Sequence, residues 1–443
     1  MTVAANAPRE PLYGAETRKA LANFRISGEP MPPAVIHWLA RIKGAAAVVN
    51  GRLGELDPAL ASSIADAAGQ VAAGTHDAEF PVDVFQTGSG TSTNMNANEV
   101  IGSLAGAHPN DHVNRGQSSN DVMPSAVHLA ALDLTVHGLL PALTSLADAL
   151  TAQSGALAGV VKAGRTHLMD AVPVTLGAEF AGYASQVALG VERVTATLER
   201  VGRIPLGGTA VGTGLNTHPD FAAGVRAVLA EDSGLTWIAA PADRFEAQAS
   251  RDALVELSGA LRTVAVSLTK IAQDLVLLSS GPRTGLREIV LPELQKGSSI
   301  MPGKVNPVIP EVVLQVCAQV IGNDTAVTVA AMQGQLELNA RVPVIARNLL
   351  SSLTLLTHAV TALTDSCVAG IKADEAGTRQ SAAATLASAT ALNPLLGYDR
   401  VAELVKEAAA TGRPLREVAV AHGVDAASFD AHVDPSRIAA GNA

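Results

Sequence analysis

The sequence is poor in aromatic, charged and sulfur-containing side chains. Of its 443 residues, 3% are aromatic and 16% are charged, whereas 48% are apolar. A core of this composition must be built mainly from aliphatic side chains and alanine. Alanine and leucine favour helices, and small alanine side chains let neighbouring helices approach closely. The composition is therefore typical of a packed helical bundle and excludes a disordered chain.

Only two cysteines occur, Cys317 and Cys367, and both lie in apolar surroundings. Two cysteines in so long a chain cannot form a disulfide framework, which favours a reducing compartment and hence a cytoplasmic location. We expect both to be buried as small apolar side chains. Met1 to Glu10 shows no basic segment followed by an apolar one, so no signal peptide is predicted. Charges interrupt the apolar stretches, so no membrane-spanning segment is expected either.

The chain carries a formal net charge of −10. Such a surface repels phosphate backbones, which disfavours binding to nucleic acid, and an anionic substrate would have to be held by local donors. The segment from Gly297 to Lys304 lacks the spacing of a phosphate loop, and the glycine-rich segment from Gly207 to Gly214 does not follow a convincing strand. His108 and His112 are four residues apart, but Pro109 between them favours a turn over a helical metal site.

Apolar residues recur at helical spacing in the middle of the chain. One seam comprises Leu254, Leu257, Leu261, Val264, Leu268, Ile271, Leu275 and Leu278. A second comprises Leu176, Phe180, Tyr183, Val187, Val191, Val194, Leu198 and Val201. Further helices are predicted over Val122 to Leu150, from Pro310, and over Leu349 to Val368, with Ser118 to Asp121 as the start of the first of these. Such long helices need neighbours along their whole length, so a long bundle is predicted, and strand-like alternation is scarce.

Three loops rich in glycine and proline separate the helices: Gly164–Pro173, Gly207–Pro219 and Gly281–Pro310. The last is too long for an ordinary connection in a compact domain, which indicates a functional loop. Within it, Ser298 stands beside a glycine, and Lys304 and Asn306 follow. Glycines let backbone N–H groups turn toward an anion, and such a loop could hold a carboxylate and stabilise charge that develops on it. The same residue types also occur in ordinary surface loops.

Other polar residues allow two interpretations each. His167 could be a structural histidine, or a proton-transfer group that Glu311 polarises if the fold brings the two together. Glu311 itself could simply stabilise the start of a helix. The segments Thr87–Asn96 and Ser118–Asp121 offer neutral donors that suit a small dicarboxylate, but they could also cap helices, and both can hold for Asn120 and Asp121.

Together these segments resemble the fumarase/aspartase superfamily. The loop from Gly297 to Asn306 matches the signature of that superfamily. The resemblance extends, in family order, to Tyr13–Thr17, Thr87–Val100, His108–Asp121, Gly164–Leu176 and Gly207–His218. It implies an all-α fold of three domains, residues 1–117, 118–375 and 376–443, with a long central helical bundle. It also implies a homotetramer whose active sites combine segments of three subunits.

The chemistry implied by the resemblance is a reversible elimination across a C–C bond of a succinyl group. Ser298 would remove the Cβ proton, and Lys304 and Asn306 would stabilise the aci-carboxylate intermediate. His167, polarised by Glu311, would protonate the leaving hydroxyl or position water. The residues implied to grip carboxylates are Ser89, Thr91, Ser118, Ser119, Asn120 and Thr166, with an accessory anion site at His108, Asn110 and Asp111. No metal and no organic cofactor is implied.

Within the superfamily, three features favour a hydratase that interconverts fumarate and malate: His167, the turn from His108 to Asp111, and the pair Ser118-Ser119. Three others, Val122-Met123, Ile321–Thr325 and Ala340-Arg341, lean toward the aspartase type or fit neither type. An aspartate ammonia-lyase, or a lyase for another substituted succinate, is therefore the alternative. A non-catalytic structural descendant is disfavoured because every position of catalytic type is filled.

Overall fold

A computed structural model describes residues 10–441 of the chain and confirms the expected all-α class. The α-helices, numbered in chain order, are α1 (Ala15–Asn23), α2 (Pro33–Arg52), α3 (Pro58–Ala72), α4 (Thr91–Ala105), α5 (Ser119–Asp133), α6 (Leu140–Ala156), α7 (Leu176–Thr195), α8 (Leu198–Val201), α9 (Phe221–Ser233), α10 (Arg244–Ala249), α11 (Asp252–Leu278), α12 (Val308–Ala331), α13 (Val342–Ser366), α14 (Glu375–Ala384), α15 (Asn393–Leu396), α16 (Tyr398–Thr411), α17 (Leu415–Ala421), α18 (Ala426–His432) and α19 (Pro435–Ala440). The strands of the described chain are β1 (Val161–Thr166), which pairs with β2 (Met169–Thr175), and β3 (Ile289–Val290), which pairs with β4 (Lys372–Ala373), both antiparallel. Tight 3₁₀ turns occupy Asp77–Glu79, Val368–Gly370 and Leu386–Leu392, and wider π turns occupy Pro109–Val113 and Leu134–Leu139.

Contacts between residues divide the chain into two compact units. The first, called unit one, comprises the described residues up to Pro141 together with Glu192–Ala265 and Cys317–Thr357. Unit two comprises Ala142–Val191, Val266–Val316 and the described residues from His358 onward. Each unit therefore combines segments that are far apart in the sequence. The division into domains of residues 1–117, 118–375 and 376–443 stays a prediction.

The first predicted seam forms one uninterrupted helix, α11, of 27 residues, and all eight seam residues from Leu254 to Leu278 are buried. The second seam forms α7 and then α8, with a short break between them. In the break, the hydroxyl of Thr197 donates a hydrogen bond to the carbonyl of Val194 (2.7 Å). Such a side-chain bond competes with regular helix geometry. Both seams are thus confirmed as helical, whereas apolar periodicity alone could not show the break.

The predicted helix start at Ser118 to Asp121 is confirmed. Ser118 Oγ accepts a hydrogen bond from the N–H of Asn120 (3.2 Å), and the Asp121 carboxylate accepts one from the N–H of Ser118 (2.9 Å). This reciprocal arrangement, a capping box, satisfies N–H groups that a helix start leaves unpaired. Helix α5, the turn Leu134–Leu139 and α6 then follow without interruption.

Helices α12 and α13 begin earlier than predicted, at Val308 and Val342 instead of Pro310 and Leu349. Each carries a proline in its first turn, Pro310 in α12 and Pro343 in α13. A proline is tolerated there because its missing N–H would have no partner within the helix anyway. In both helices the proline therefore marks a start that lies one or two residues before it.

Two helical stretches, Ser119–Ala156 and Val308–Ala331, are long and apolar enough to cross a membrane by length and composition. The expectation that charges interrupt every such stretch is therefore too strict. In the first stretch, 56% of the apolar window is buried inside the protein. The core helices of a bundle pass the same test, because they too are apolar around most of their surface.

The segment Gly164–Pro173, which was predicted to be a loop, forms most of the β1–β2 hairpin, with Thr166 opposite Met169. The turn consists of His167 and Leu168, and both have positive φ (55° and 60°). Positive φ at both central residues is characteristic of the tight turn that suits the twist of a hairpin. The prediction was wrong because such turns usually carry Asn-Gly or Asp-Gly, and this one carries neither.

The C-terminal segment has a hydrophobic core of its own, formed by Ala389, Leu392, Val401, Leu404, Ala408, Leu415, Val418, Ala419, Val424 and Phe429. Most of these residues come from α16, α17 and α18. Helices of seven to fourteen residues are marginal alone, and a shared core lets them stabilise one another.

Both cysteines are buried, as expected. Burial raises the pKa of the Cys367 thiol to about 12. A thiol with so high a pKa stays protonated at neutral pH, and the protonated form is a poor nucleophile and a poor metal ligand. Cys367 therefore acts as a small apolar side chain.

Candidate active site

The predicted site residues fall into two groups, one in each unit. Unit one contains Ser89, Thr91, His108, Asn110, Asp111, Ser118, Ser119 and Asn120. Unit two contains Thr166, His167, Ser298, Lys304, Asn306 and Glu311. The contacts within each group show how its side chains are positioned. The catalytic and binding roles of these residues stay predictions.

Three hydroxyl groups of unit one form a hydrogen-bonded row. Ser89 Oγ lies 2.7 Å from Thr91 Oγ1, which lies 2.8 Å from Ser119 Oγ. Thr91 begins α4 and Ser119 begins α5, so the row joins two helix starts. The N–H groups of a helix start and neutral hydroxyls are both donors that suit a carboxylate. The fold therefore brings these three predicted residues together, in a half-buried position. We call them the hydroxyl row.

Gly88 fixes the turn that carries Ser89. Its carbonyl accepts a hydrogen bond from the N–H of Val342 (3.0 Å), at the start of α13. A Cβ on Gly88 would lie 1.9 Å from the carbonyl oxygen of Ala340. The two backbone segments approach so closely that only glycine fits at position 88.

Asp121, at the start of α5, is a fully buried carboxylate. Besides its part in the capping box, it accepts hydrogen bonds from the N–H groups of Gly207 and Thr209 (3.0 Å each). Burial raises the pKa of Asp121 to about 6, although these N–H donors oppose the shift. The side-chain amide of Asn120 donates to a carbonyl of the same glycine-rich loop, that of Ala210 (2.9 Å). The loop after Gly207 is therefore fixed to the start of α5, and the sequence indicated only the capping part of this role.

The predicted accessory anion residues lie on an exposed turn. His108 Nδ1 accepts a hydrogen bond from the N–H of Asp111 (3.0 Å), and His112 Nδ1 accepts one from the N–H of His108 (3.0 Å). These bonds stabilise a single helical turn, Pro109–Val113, in place of the plain turn that was predicted. Because both imidazoles bond the backbone, their four-residue spacing is explained without a metal. Within residues 10–441, no cluster of three or more potential metal-ligating side chains occurs.

In unit two, the β1–β2 turn leaves Thr166 and His167 exposed in the single chain. The preceding residue, Arg165, is mostly buried, and its Nη1 donates a hydrogen bond to Glu288 Oε1 (2.7 Å). The register of the hairpin shifts between Ala163 and Arg165, where the single residue Gly164 of β1 lies opposite two residues of β2, Ala171 and Val172. Bulges of this kind are common beside active sites because they re-aim a side chain.

Glu288 is the centre of a buried ionic cluster that the sequence did not indicate. Its carboxylate is fully buried and is contacted by Arg165 and by Lys162, whose Nζ lies 2.8 Å from Oε2. The second contact is an ion pair that is not aligned as a hydrogen bond. Lys162 also pairs with Glu179 (2.7 Å). Since Glu288 directly precedes β3, the cluster joins the hairpin of His167 to the segment that leads into the loop of Ser298.

The predicted signature loop is closed by two hydrogen bonds. The N–H of Gly297 donates to the carbonyl of Lys304 (2.9 Å), and Asn306 Nδ2 donates to the carbonyl of Gly297 (2.9 Å). Inside the loop, Ser298 Oγ accepts hydrogen bonds from the N–H groups of Ile300 (3.2 Å) and Met301 (3.1 Å). Two donors aimed at one oxygen stabilise negative charge on that oxygen. The role of Ser298 as a base stays a prediction.

Glu311 lies in the first turn of α12 and is exposed. Within residues 10–441 of a single chain, no hydrogen bond or ion pair joins Glu311 to His167. The hypothesis that Glu311 polarises His167 therefore stays a prediction.

Comparison with known proteins decides the family. The model of a lyase family matches residues 4–322, and the model of the fumarase C C-terminus matches residues 389–440. The class II fumarate hydratase of Corynebacterium efficiens is 52% identical over 421 residues, which cover 94% of this chain and 89% of that protein. The chain belongs to the class II fumarase family.

Further similar proteins agree with this assignment. The class II fumarate hydratase of Mycobacterium tuberculosis is 52% identical over 422 residues, which cover 94% of this chain and 89% of its own. The crystal structure of class II fumarase from Schistosoma mansoni has a TM-score of 0.95 and 39% identity, and covers 98% of this chain and 97% of its own. A fumarate lyase:delta crystallin from Brucella melitensis, bound to cobalt, has a TM-score of 0.93 and 45% identity, with the same coverage. The resemblance to the fumarase/aspartase superfamily is thereby confirmed.

Proposed function

We propose that this chain is a hydro-lyase that catalyses the reversible hydration of fumarate to (S)-malate. Two class II fumarate hydratases that are 52% identical over 94% of the chain support this activity. The structural observation that carries the proposal is the position of Ser298 Oγ, which faces two backbone N–H groups inside a closed loop. A serine acts as a base only where its surroundings stabilise the negative oxygen.

In the direction of dehydration, Ser298 Oγ takes the proton from C3 of malate, and the electron pair of that C–H bond moves into the adjacent carboxylate. Lys304 and Asn306 stabilise the extra charge of this aci-carboxylate. The C2–O bond then breaks as the double bond forms, and His167 supplies the proton that converts the leaving hydroxide to water. Hydration follows the same path in reverse.

The hydroxyl row, together with Ser118, Asn120 and Thr166, is proposed to hold the two carboxylates of the substrate. Hydroxyls and amides are neutral, so they orient a dianion without the strong attraction of an opposing full charge. Such a grip suits a reversible reaction, because both fumarate and malate must be released. The turn from His108 to Asp111 is proposed as an accessory anion site.

We also propose a homotetramer whose active sites are shared between subunits. Large apolar side chains of the long helices are exposed in the single chain, among them Val266 (56%) on α11 and Val329 (48%) on α12. Exposed apolar residues along a long helix favour burial against other copies. Sedimentation equilibrium tests this proposal, and the expected mass is four times that of the 45.1 kDa chain.

A cytoplasmic location is proposed as well. The two cysteines support it, because both are buried and no disulfide links them. Fractionation of cells followed by detection of the chain tests this proposal. Recovery in the cytoplasmic fraction is expected, and recovery with membranes would contradict it.

The ultraviolet absorbance of fumarate provides the test of activity. Purified protein is mixed with fumarate in plain buffer and, separately, in buffer with added ammonium. Loss of absorbance in plain buffer, with malate formed, is the expected result. Loss that requires ammonium would instead indicate an aspartate ammonia-lyase.

One observation favours a second candidate, a lyase for a succinate with an additional anionic substituent. The exposed side chain of Arg341 bonds Gln333 Oε1 through Nε (3.0 Å) and the carbonyl of Ala340 through Nη1 (2.8 Å). Because that carbonyl contacts Gly88, the guanidinium lies close to the turn that carries Ser89. Turnover of a substituted succinate, with none of fumarate in either buffer, would support this candidate.

A further inference from the structure

Lys43 of α2 is a lysine that the protein buries completely. None of the ion pairs found within residues 10–441 includes it. Transfer of an ammonium group from water to a protein interior is costly unless other groups compensate. Burial lowers the pKa of Lys43 to about 7, and the negative charge of Asp121 opposes that shift. Because this buried lysine has no paired carboxylate, its role must be sought in the groups to which it donates hydrogen bonds.

The ammonium group holds two side-chain amides of one turn. Lys43 Nζ lies 3.3 Å from Asn114 Oδ1 and 3.2 Å from Gln117 Oε1. Each amide in turn bonds the backbone of the same turn: Asn114 Nδ2 donates to the carbonyl of Gln117 (3.1 Å), and Gln117 Nε2 donates to the carbonyl of Val113 (3.0 Å). Lys43 thus fixes the conformation of the chain up to the residue that directly precedes Ser118.

The same network extends to α4. Asn94 Nδ2 donates a hydrogen bond to Asn114 Oδ1 (3.2 Å), the oxygen that also faces Lys43. Asn94 lies three residues after Thr91, in the first turn of its helix. The starts of α4 and α5 are therefore both linked to Lys43, and these are the helix starts that place Thr91 next to Ser119.

We infer that Lys43 is a positioning residue for the hydroxyl row. Its hydrogen bonds to the turn of residues 114–117 keep the three hydroxyl groups in the positions that bind a substrate carboxylate. The inference rests on the proposed function, because it assigns a consequence for substrate binding to a residue that does not touch substrate. Its effect reaches the substrate through Asn114 and Gln117. A change at Lys43 should therefore affect the binding of dicarboxylates more strongly than the chemical step.

The test compares Lys43→Met with Ile42→Ala in the full-length protein. Methionine keeps most of the buried aliphatic volume but removes the ammonium group and both of its hydrogen bonds. Ile42 is its neighbour on α2 and is fully buried, but it has no part in the polar network. Its truncation therefore reports what loss of stability alone does to the kinetics. For each variant we would measure KM and kcat for fumarate, the dissociation constant of succinate, which cannot be dehydrated, and Tm.

For Lys43→Met we expect KM for fumarate and the dissociation constant of succinate to rise about tenfold, with a smaller fall in kcat. Ile42→Ala should lower Tm and leave both constants unchanged. Unchanged constants in Lys43→Met, whatever its Tm, would overturn the inference and leave Lys43 as a purely structural residue. An equal rise of the constants in both variants would overturn it as well.

Gln117→Ala keeps the test decisive if Lys43→Met does not fold. It removes one of the two amide oxygens from a half-buried position and leaves the lysine in place, and the same constants should rise. Unchanged constants would overturn the inference. The proposed function is tested separately by the wild-type protein: wild-type turnover of fumarate with unchanged constants in the variants would refute only the role of Lys43. Weaker succinate binding in the variants, without fumarate turnover by the wild type, would support the role of Lys43 and refute the hydratase activity.

Discussion

A methyl group on Gly88 is expected to be the most informative perturbation of the hydroxyl row. A Cβ there would lie 1.9 Å from the carbonyl oxygen of Ala340 and 2.6 Å from its carbonyl carbon. Ordinary van der Waals contacts begin near 3.4 Å, so the two segments would have to separate by about 1.5 Å. Because both contacts are to backbone atoms, no rotation of a side chain can relieve the clash.

The separation would displace Ser89 from Thr91, and a misplacement of about 1 Å can reduce a rate on the order of 100-fold. We therefore expect Gly88→Ala to lower kcat/KM for fumarate on the order of 100-fold. The same overpacking should lower the free energy of unfolding by about 1 to 3 kcal/mol. Initial rates of fumarate absorbance change and urea unfolding measure the two effects.

Gly69→Ala is the matched control. Gly69 lies within α3, and a Cβ there would meet no atom within 4 Å. Alanine in a helix interior is favoured over glycine by roughly 0.5 to 1 kcal/mol, so this variant should gain stability and keep the wild-type kcat/KM. A wild-type kcat/KM in Gly88→Ala would refute the reasoning, because the hydroxyl row would then tolerate displacement of the turn that supports it.

Four further changes test other parts of the site and the fold. Ser298→Ala should abolish fumarate turnover without a change in sedimentation, and a near-normal rate would remove Ser298 from the mechanism. His167→Asn should lower kcat on the order of 100-fold if the imidazole transfers a proton, and an unchanged kcat would make it structural. Glu288→Gln should lower the free energy of unfolding in urea by about 3 to 5 kcal/mol, because two cations lose a buried partner, and a loss below about 1 kcal/mol would contradict that role. Burial lowers the pKa of His128 from 6.5 to about 4. As the pH drops through this range the unfolded state binds the proton first, so the free energy of unfolding falls by on the order of 3 kcal/mol. His128→Gln should remove that part of the pH dependence of urea unfolding, and an unaltered dependence would show that another group causes it.

The long helices could be predicted because the apolar residues on the buried face of a helix recur every three or four positions in the sequence. The seam from Leu254 to Leu278 shows this, since its spacing of three and four residues returns each apolar side chain to the same face. The hairpin from Val161 to Thr175 could not be found in this way. Its turn is defined by the positive φ angles of His167 and Leu168, which are uncommon for residues other than glycine and gave no turn signal in the sequence.

The contacts within the candidate site could be predicted in part, where the groups that make them are close in the sequence. The loop from Gly297 to Asn306 and the segment at Ser118 are local, so their residue types alone indicated a role. Lys43 lies 71 residues before Asn114, and Glu288 lies 123 residues after Arg165. Contacts over such separations leave no periodic signal, although Lys43 stands out as the lone lysine in the mostly apolar sequence of α2.

The turn formed by His167 and Leu168 has a consequence for how such a chain can evolve. Two successive non-glycine residues in the left-handed region cost roughly 1 to 2 kcal/mol each, and glycine at either position would relieve the cost at that position. Selection for heat resistance alone would therefore favour glycine or asparagine in the turn. Selection for turnover would keep the imidazole if it transfers the proton. If it does, stability and turnover place opposite demands on position 167 of this turn.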